Sequence, residues 1–268
     1  MASDLHTHTN FSDGFLSPAE LVETAKNLGM KILAITDHDT VDGVASLKNI
    51  NGIHIIPGVE ITAQHPNSRD QLHIIGLNVD INSQGFKNYL DELAGKRRKR
   101  AEKILEKLHN LNMDITFEDI YAAIEGIPTT IVRTHISKAL AYKGFYKSER
   151  EAYAILKHGQ LAYVPLKHPQ YLDAIEAIHK AGGKAILAHP KLVRDDDLVE
   201  EVARHVDGIE AYYPRHSWMD QQRYLAIARK YNLKISGGSD FHGKPGDKKH
   251  PDKLGAFTVE DEIAEKWL

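Results

Sequence analysis

The sequence contains no cysteine, which removes one kind of scaffold and one kind of metal site. Without thiols the chain can form neither a disulfide framework nor a thiolate metal centre. Any bound metal ion must therefore be held by nitrogen and oxygen ligands, that is, by imidazoles and carboxylates.

Long apolar runs are also missing. No run approaches the roughly 20 residues that a membrane-spanning helix requires, and residues 1–8 lack the basic and apolar regions of a secretory signal. We therefore expect a cytoplasmic protein that does not associate with membranes. Nothing in the sequence indicates an obligate protein partner.

Net charge is low as well, with a formal value of −3. This argues against an extended nucleic-acid-binding face, although a local basic pocket remains compatible with it. One feature is abundant: the chain has 16 histidines beside 37 acidic residues. These histidines matter for function only if some of them converge in the fold.

Short apolar runs typical of buried strands alternate with helix signals. A capping signal begins a helix at Ser17, and a second one begins at Thr116. The predicted strands, besides the N-terminal segment, are residues 31–36, 53–57, 72–77, 185–188, 208–212 and 233–236. This alternation predicts an α/β fold, specifically a distorted, TIM-like (β/α)7 barrel with its site at the C-terminal ends of the strands.

A helical segment interrupts the alternation. Between residues 92 and 165 apolar residues recur at helical spacing, so we predict an inserted helical subdomain that covers the site. Residues 1–91 and 166–268 would then form the barrel. The basic run 96–100 at the start of the insertion can bind phosphates, but we favour a solvated helical face for most of it.

The strongest local signal is the pair His6 and His8. Residues i and i+2 of a strand point to the same face, so both imidazoles can reach one ion. Further histidines and carboxylates occur where predicted strands end or in nearby loops: Asp13, His38, Glu60, His73, His189, Asp240 and His242. Because strand ends of a parallel barrel meet at one mouth, we predict that all nine surround one cavity.

Four motifs in order carry a family resemblance: DLHTHTNFSDG, AITDHDT, PGVEIT followed by LHIIGL, and AHP with GGSDFHG. In these motifs the chain resembles the polymerase and histidinol phosphatase (PHP) family of phosphoesterases. The resemblance implies a seven-stranded barrel holding two or three divalent ions, of manganese, zinc, iron or magnesium.

The resemblance also implies three ligand groups. The first ion would be held by His6, His8, Glu60 and Asp240. Glu60 would bridge to a second ion, held also by His73 and His189, and the third would be held by Asp13, His38 and His242.

Phosphate ester chemistry suits such a cluster. Neighbouring divalent ions can activate water to hydroxide, screen the phosphate oxygens and stabilise the leaving alkoxide, so no protein nucleophile is needed. We assign catalytic roles to Glu60 and Asp240 through the ions. A third role falls to Asp37, which adjoins His38 and is expected to orient an imidazole.

Four residues are candidates for substrate binding. Arg133 and His135 lie in the insertion, in an RTHI motif similar to that of the nucleotide-hydrolysing branch of the family, and Arg133 can clamp a phosphate. Arg215 and His216 follow a predicted strand and are expected near the mouth, where rim packing is an equally good interpretation.

The predicted function is hydrolysis of phosphate monoesters of nucleotides. The substrate would be a nucleoside 3′,5′-bisphosphate, a monophosphate or short 5′-phosphorylated RNA. Two alternatives stay open, a histidinol-phosphate phosphatase and a non-catalytic module stabilised by its metals.

Overall fold

A computed structural model describes residues 2–68, 70–124, 128–244 and 250–268. The strands are β1 (Ala2–Ser3), β2 (Ile32–Ile35), β3 (His54–Gln64), β4 (Gln71–Leu77), β5 (Lys184–Leu187), β6 (Gly208–Tyr212), β7 (Lys234–Gly237) and β8 (Val259–Glu260). The α-helices are α1 (Pro18–Asn27), α2 (Asp42–Ala45), α3 (Gln84–His109), α4 (Phe117–Ala123), α5 (Arg133–Tyr142), α6 (Glu149–Ala154), α7 (Tyr171–Lys180), α8 (Asp196–Ala203), α9 (Trp218–Tyr231) and α10 (Asp261–Ala264).

Both predicted capping signals begin helices. Ser17 caps α1, and its side chain and the Glu20 carboxylate satisfy each other's backbone N–H groups. Thr116 and Asp119 form the same reciprocal pair at the start of α4. Such boxes satisfy backbone donors that a first helical turn leaves without partners, which explains why these starts are readable from sequence.

Strands β2 to β7 form one six-stranded sheet in sequence order, and β1 pairs separately with β8. β2 and β3 are parallel, as are β5, β6 and β7. All four residues of β2 are buried, as expected for a strand that is covered on both faces.

The segment 4–8 closes the gap between the two edges of this sheet. Asp4 bridges to Leu33 of β2, and Thr7 bridges to Phe241, just beyond β7. The His8 N–H donates to the Phe241 carbonyl at 2.9 Å, and the Asp240 N–H donates to the His6 carbonyl at 2.9 Å. These bonds curl the sheet and bring both ends of the chain to one site.

The α/β fold with a curled, half-barrel sheet is therefore confirmed, whereas strict (β/α)7 alternation is not. β4 runs antiparallel to both β3 and β5. Its N-terminal end therefore lies at the mouth, and His73, which pairs with Thr62, reaches the site from there. The expectation that every ligand sits at a C-terminal strand end is wrong for His73.

Three hydrophobic clusters occur among the described residues, and the smallest one includes Leu5, Ile56 and Ile186. The largest one lies between the sheet and its helices and includes Phe86, Leu90 and Leu93 from the first half of α3. A separate cluster joins the second half of α3 to α4, α5 and α6: Ile104, Leu108, Ile120, Ile136 and Leu140 are among its members. The predicted boundary at residue 92 thus falls inside a continuous helix that contributes to the two larger clusters.

The basic run 96–100 is not a uniform solvated face. Arg97 is buried and ion-pairs with Asp39 at 2.5 Å, beside the ligand loop of His38. Removing one partner of a buried ion pair leaves the other charge without compensation and destabilises the fold. This ion pair therefore holds α3 against the sheet. In the described part of the chain, no helix combines the length and apolarity needed to cross a membrane.

Candidate metal centre

His6 and His8 present their imidazoles to the same side of the N-terminal segment. Both side chains are fully buried, and their ring centroids lie 5.2 Å apart. Thr7, between them, turns the other way and donates from its hydroxyl to the Ala34 carbonyl at 2.6 Å. The backbone also runs very close to Gly238, where any Cβ would collide with His6.

Glu60 lies at the centre of the cluster, and its two oxygens face different imidazoles. Oε1 lies 2.8 Å from His73 Nδ1 and 3.0 Å from His189 Nε2. Oε2 lies 3.3 Å from His8 Nε2 and 2.9 Å from His38 Nδ1. A carboxylate placed in this way can bridge two ions.

The first predicted ligand group is brought together. Potential ligand atoms of His6, His8, Glu60 and Asp240 all lie within 4.8 Å of one another. Asp240 Oδ1 is 3.4 Å from His6 Nε2 and 3.1 Å from His8 Nε2. Asp240 adopts φ 53°, a left-handed conformation that is unusual for a residue with a side chain and is typical of functional sites.

The other two groups share His38. One set of ligand atoms within 4.8 Å belongs to His38, Glu60 and His73, with His189 against the same carboxylate. The other set belongs to His8, Asp13, His38 and His242. Its shortest contact joins Asp13 Oδ1 to His242 Nε2 at 3.1 Å.

Several buried polar atoms in this cluster lack a hydrogen-bond partner among the described residues. They are His6 Nε2, both ring nitrogens of His8, His38 Nδ1, Asp13 Oδ1 and Glu60 Oε2. Leaving such an atom unsatisfied costs about 1–3 kcal/mol, so a concentration of them needs a compensating ligand. Imidazole and carboxylate donors fit zinc, manganese or iron, and these residues therefore suit divalent cations.

Electrostatics also favours a cation here. Burial opposes a charge on His8, but the adjacent carboxylates of Asp240 and Glu60 outweigh burial and raise its pKa to about 10. Despite burial, the surrounding imidazoles hold the pKa values of the Glu60 and Asp240 carboxyl groups well below their usual range. The carboxylates thus stay ionised and attract positive charge.

The sequence analysis expected Asp37 to orient an imidazole. The described hydrogen bonds of its carboxylate instead come from Thr9 and Ser12. The carboxylate accepts these bonds from the Thr9 N–H at 2.7 Å, the Thr9 hydroxyl at 2.6 Å and the Ser12 hydroxyl at 2.6 Å. Adjacency in sequence to His38 was misleading because the two side chains leave the strand end in different directions. Asp37 instead fixes the loop between His8 and Asp13.

Glu210 was missed by the sequence analysis. It is fully buried in β6, and its Oε1 lies 3.1 Å from His6 Nδ1 while its Oε2 accepts from the His189 N–H at 2.6 Å. A carboxylate behind a ligand imidazole fixes the tautomer and leaves the other ring nitrogen free for a metal. The available signal was a glutamate inside the apolar strand Gly208–Tyr212.

Replacing Glu210 with glutamine is expected to weaken metal binding by roughly 10- to 100-fold. The amide keeps one acceptor oxygen but turns an NH2 group toward one of the two donors that Glu210 now satisfies. Metal affinity, measured by titration of the stripped protein, checks this. Glu201→Gln is the matched control, because Glu201 bonds the His65 imidazole at 3.0 Å away from the cluster; equal affinities in both variants would contradict the role.

Three other contacts were not predicted. Asp4 accepts from the Ser239 N–H at 2.9 Å and the His6 N–H at 3.2 Å, and burial raises its pKa to about 7. The Tyr213 hydroxyl donates to Asp240 Oδ2 at 3.1 Å. His250 Nε2 lies 3.4 Å from the same oxygen, and its ring stacks on His242. The contacts of Asp4 with Ser239 and of Tyr213 with Asp240 join residues that are distant in sequence.

Selective loss of one ion is expected from Asp13→Ala or His242→Ala. Both residues belong to the group shared with His8 and His38, and neither contacts Glu60 among the described ion pairs. Crystals of each variant, soaked with manganese, should keep density between His6, Glu60 and Asp240. Loss of all ion density in both variants, with the fold intact, would show that the grouping is wrong.

The helical segment between β4 and β5 approaches the cluster at residues 129–135. The Thr129 N–H donates to the Phe11 carbonyl at 3.0 Å, and the Thr130 hydroxyl donates to the His38 carbonyl at 3.0 Å. His135 is buried near Asp13, and burial lowers its pKa to about 3, so it faces the site as a neutral ring.

The remaining predicted substrate residues lie farther back. Arg133 packs over the Tyr153 ring and donates to the Leu156 carbonyl at 3.4 Å. Arg215 is exposed, near enough to Tyr213 for its charge to affect that hydroxyl. His216 is buried against Tyr213, with Nδ1 2.9 Å from the Ala211 carbonyl. Contacts of these side chains with phosphate stay predictions.

Comparison with known proteins finds a matching family model and several similar proteins. A family model described as PHP domain matches residues 4–224, a range that contains every predicted ligand except Asp240 and His242. The chain is 34% identical over 253 residues to the 5′-3′ exoribonuclease Rnm of Escherichia coli, covering 89% of this chain and 84% of the relative. It is 31% identical to a 3′,5′-nucleoside bisphosphate phosphatase of Chromobacterium violaceum, covering 91% of this chain and 88% of the relative.

A solved structure shares the fold over almost the whole chain. A Bifidobacterium adolescentis protein, described provisionally as a metal-dependent phosphoesterase, superposes with a TM-score of 0.84 at 29% identity. The match covers 99% of this chain and 95% of that protein.

Proposed function

This chain belongs to the PHP domain family and is a phosphoric ester hydrolase, and from that premise we propose that its substrates are nucleotides that carry a terminal phosphate. The class includes nucleoside 3′,5′-bisphosphates, nucleoside monophosphates and short 5′-phosphorylated RNA. Hydrolysis takes place at the cluster around Glu60, with two or three divalent ions bound.

The observation that carries this proposal is the direct bonding of residues 129–135 to the ligand loops. Thr130 bonds the carbonyl of His38, and the neutral ring of His135 faces Asp13. Arg133 follows these residues at the start of α5, and we infer that its guanidinium binds oxygens of the substrate phosphate through two donors. A narrow mouth roofed in this way favours a terminal phosphate over one inside a long chain.

The protein's own residues bind and orient the reacting groups. Glu60 and Asp240 supply negative charge at the centre of the cluster, while Glu210, Tyr213 and Asp37 fix the ligands and their loops. When bound, divalent ions would neutralise the phosphate oxygens and supply Lewis acidity for the attack of water. Arg133 then holds the phosphate in place without taking part in bond making.

Relatives support a nucleotide substrate by their names. They include an exoribonuclease and a nucleoside bisphosphate phosphatase, whereas a third relative from Eggerthella lenta, at 28% identity, is named for phosphoribosyl 1,2-cyclic phosphate, a sugar phosphate without a base. Histidinol phosphate is the competing substrate, since its phosphatases share the ligand set. A purely structural metal module is disfavoured, because its ions would need no open mouth with cationic side chains beside it.

The test is phosphate release from a panel of esters by the purified protein of known metal content. Nucleoside 3′,5′-bisphosphate, 5′-monophosphate and a 5′-phosphorylated RNA pentamer should each be hydrolysed with a higher kcat/KM than histidinol phosphate, and chelation should abolish every activity. Equal turnover of histidinol phosphate and nucleotides would overturn the substrate assignment. No turnover of any ester by the metal-loaded protein would overturn the proposed function.

A further inference from the structure

A basic groove lies between α3 and residues 163–167, outside the metal centre. Its volume is about 610 Å³, within the range of ligand-binding clefts. Six cationic side chains line it, against the single carboxylate of Glu106: Lys96, Lys99, Arg100, Lys103, Lys107 and Lys167. The groove thus concentrates positive charge in a chain whose net charge is −3.

Three of the six cations are available to a ligand. Lys99, Lys103 and Lys167 are exposed, and none of them forms an ion pair with a residue that the structure describes. The groove lysines of α3 span residues 96 to 107, about 16 Å at 1.5 Å per residue. They therefore form a stripe along one wall.

The walls are fixed by hydrogen bonds that cross the groove. Arg100 Nε donates to the Val164 carbonyl at 2.9 Å, and Lys107 Nζ donates to the Tyr163 carbonyl at 2.8 Å. Tyr163, Pro165 and Leu166 supply an aromatic and apolar surface opposite the lysines. Cations that follow a backbone, beside an aromatic ring on which a base can stack, suit single-stranded nucleic acid.

A much smaller depression adjoins the groove on the side of β3. Lys96, Leu166 and Lys167 line both, and Asp39, Thr62 and His168 line only the depression. Thr62 pairs with the ligand-bearing position His73 across β3 and β4.

Cationic groups surround His168, which lines this depression. Burial lowers the pKa of His168 to about 3, and the positive charges of Arg97, Arg100 and Arg133 act in the same direction. His168 therefore lies within electrostatic reach of these three arginines.

We propose that this groove binds the phosphodiester backbone of a single-stranded oligonucleotide whose terminal phosphate lies at the metal centre. The inference rests on the proposed function for the position of the reacting end, and it adds a separate binding surface for the rest of an RNA chain. A duplex is disfavoured, because the groove is short and one of its walls is an apolar surface suited to exposed bases. The low net charge had argued against an extended basic track, but six cations from one helix and one loop form a local one.

The test compares Lys99→Gln/Lys103→Gln with the wild type. Both lysines are exposed and lie outside the metal cluster, and glutamine removes the charge while keeping a similar helix propensity. Lys48→Gln/Lys253→Gln is the charge-matched control, because both of those lysines are exposed and neither lines the groove. Binding is measured by fluorescence anisotropy with a 3′-labelled RNA pentamer whose phosphorothioate linkages resist cleavage.

The groove variant should bind the pentamer roughly 10-fold more weakly at 0.1 M salt, and the slope of log K against log salt should shrink by about 1.4, or about 0.7 for each lost phosphate contact. Its kcat/KM for a nucleoside 3′,5′-bisphosphate should stay within about 2-fold of wild type. The control should match wild type in both assays.

Unchanged pentamer affinity in the groove variant would overturn the proposal, as would an equal loss toward pentamer and mononucleotide. Tighter binding of a duplex of the same length would overturn the single-strand assignment. Because the anisotropy assay needs no turnover, pentamer binding that depends on Lys99 and Lys103 would support the groove even if the proposed hydrolysis failed.

Discussion

Glu60→Gln is expected to abolish most activity and to lower metal content at the same time. The side chain lies within 3.5 Å of five imidazoles and has only 1% of its surface exposed, so its charge is not replaced by water when it is lost. An amide is a neutral and poorer ligand, and it cannot bridge two cations as a carboxylate can. We expect kcat/KM to fall by about 1,000-fold or more, in line with several kcal/mol of charge stabilisation from bound metal.

Steady-state kinetics and elemental analysis of the same preparation test this expectation. Glu23→Gln is a suitable control, since it removes one exposed carboxylate that pairs with Lys26 at 3.0 Å. Glutamine has almost the volume of glutamate, so the far-ultraviolet circular dichroism should not change. Full turnover with undiminished metal content would remove Glu60 from the centre of the site.

Arg133→Ala is expected to reduce kcat/KM for nucleotides by roughly 10- to 1,000-fold, or about 1.4 to 4 kcal/mol for a lost charge-assisted contact. Metal content should not change, because the guanidinium packs over Tyr153 and contacts no predicted ligand among the described residues. The reason for the loss is positional. Arg133 begins α5 directly after the residues that bond the ligand loops.

Arg150→Ala provides the matched control for Arg133, because Arg150 is an exposed arginine on α6 of the same helical region. Its kinetics should equal those of wild type. Thermal unfolding of both variants separates a lost substrate contact from a loosened insertion. Indifference of nucleotide turnover to Arg133→Ala would contradict the proposed phosphate contact and leave phosphoester hydrolysis without a defined substrate clamp.

Local signals explain what the sequence could predict about the fold. The predicted strands 31–36 and 72–77 correspond to β2 and β4. Short apolar runs of this kind indicate a buried strand from the local sequence alone. The composition of β4 does not indicate whether the strand runs parallel or antiparallel to its neighbours. Only residues 65–70 join it to β3, too few for the crossover of a dozen or more residues that a parallel pair requires.

The site residues also fall into two groups, those that local sequence patterns predict and those that only the fold identifies. His6 and His8 are predicted by their own spacing, and the other proposed ligands by short motifs around them. Glu210 carries no such motif, and its partner His6 lies 204 residues away in sequence, so only the fold identifies it. In the sequence, Lys99 and Lys103 have the spacing of an ordinary solvent-exposed helix face. Only the fold shows that residues 163–167 form a groove with them.

The closure of the sheet by residues 4–8 has a consequence for biosynthesis. His6 and His8 are synthesised before the other proposed ligands, and Asp240 and His242 follow more than two hundred residues later, so the bond from the Asp240 N–H to the His6 carbonyl must wait for them. Chains are made at about 5–20 residues per second, so the early ligands remain without these partners for about ten seconds or more. During that interval an ion can find only a partial set of ligands, and tight retention of the ion therefore requires that residues 240–242 have been synthesised.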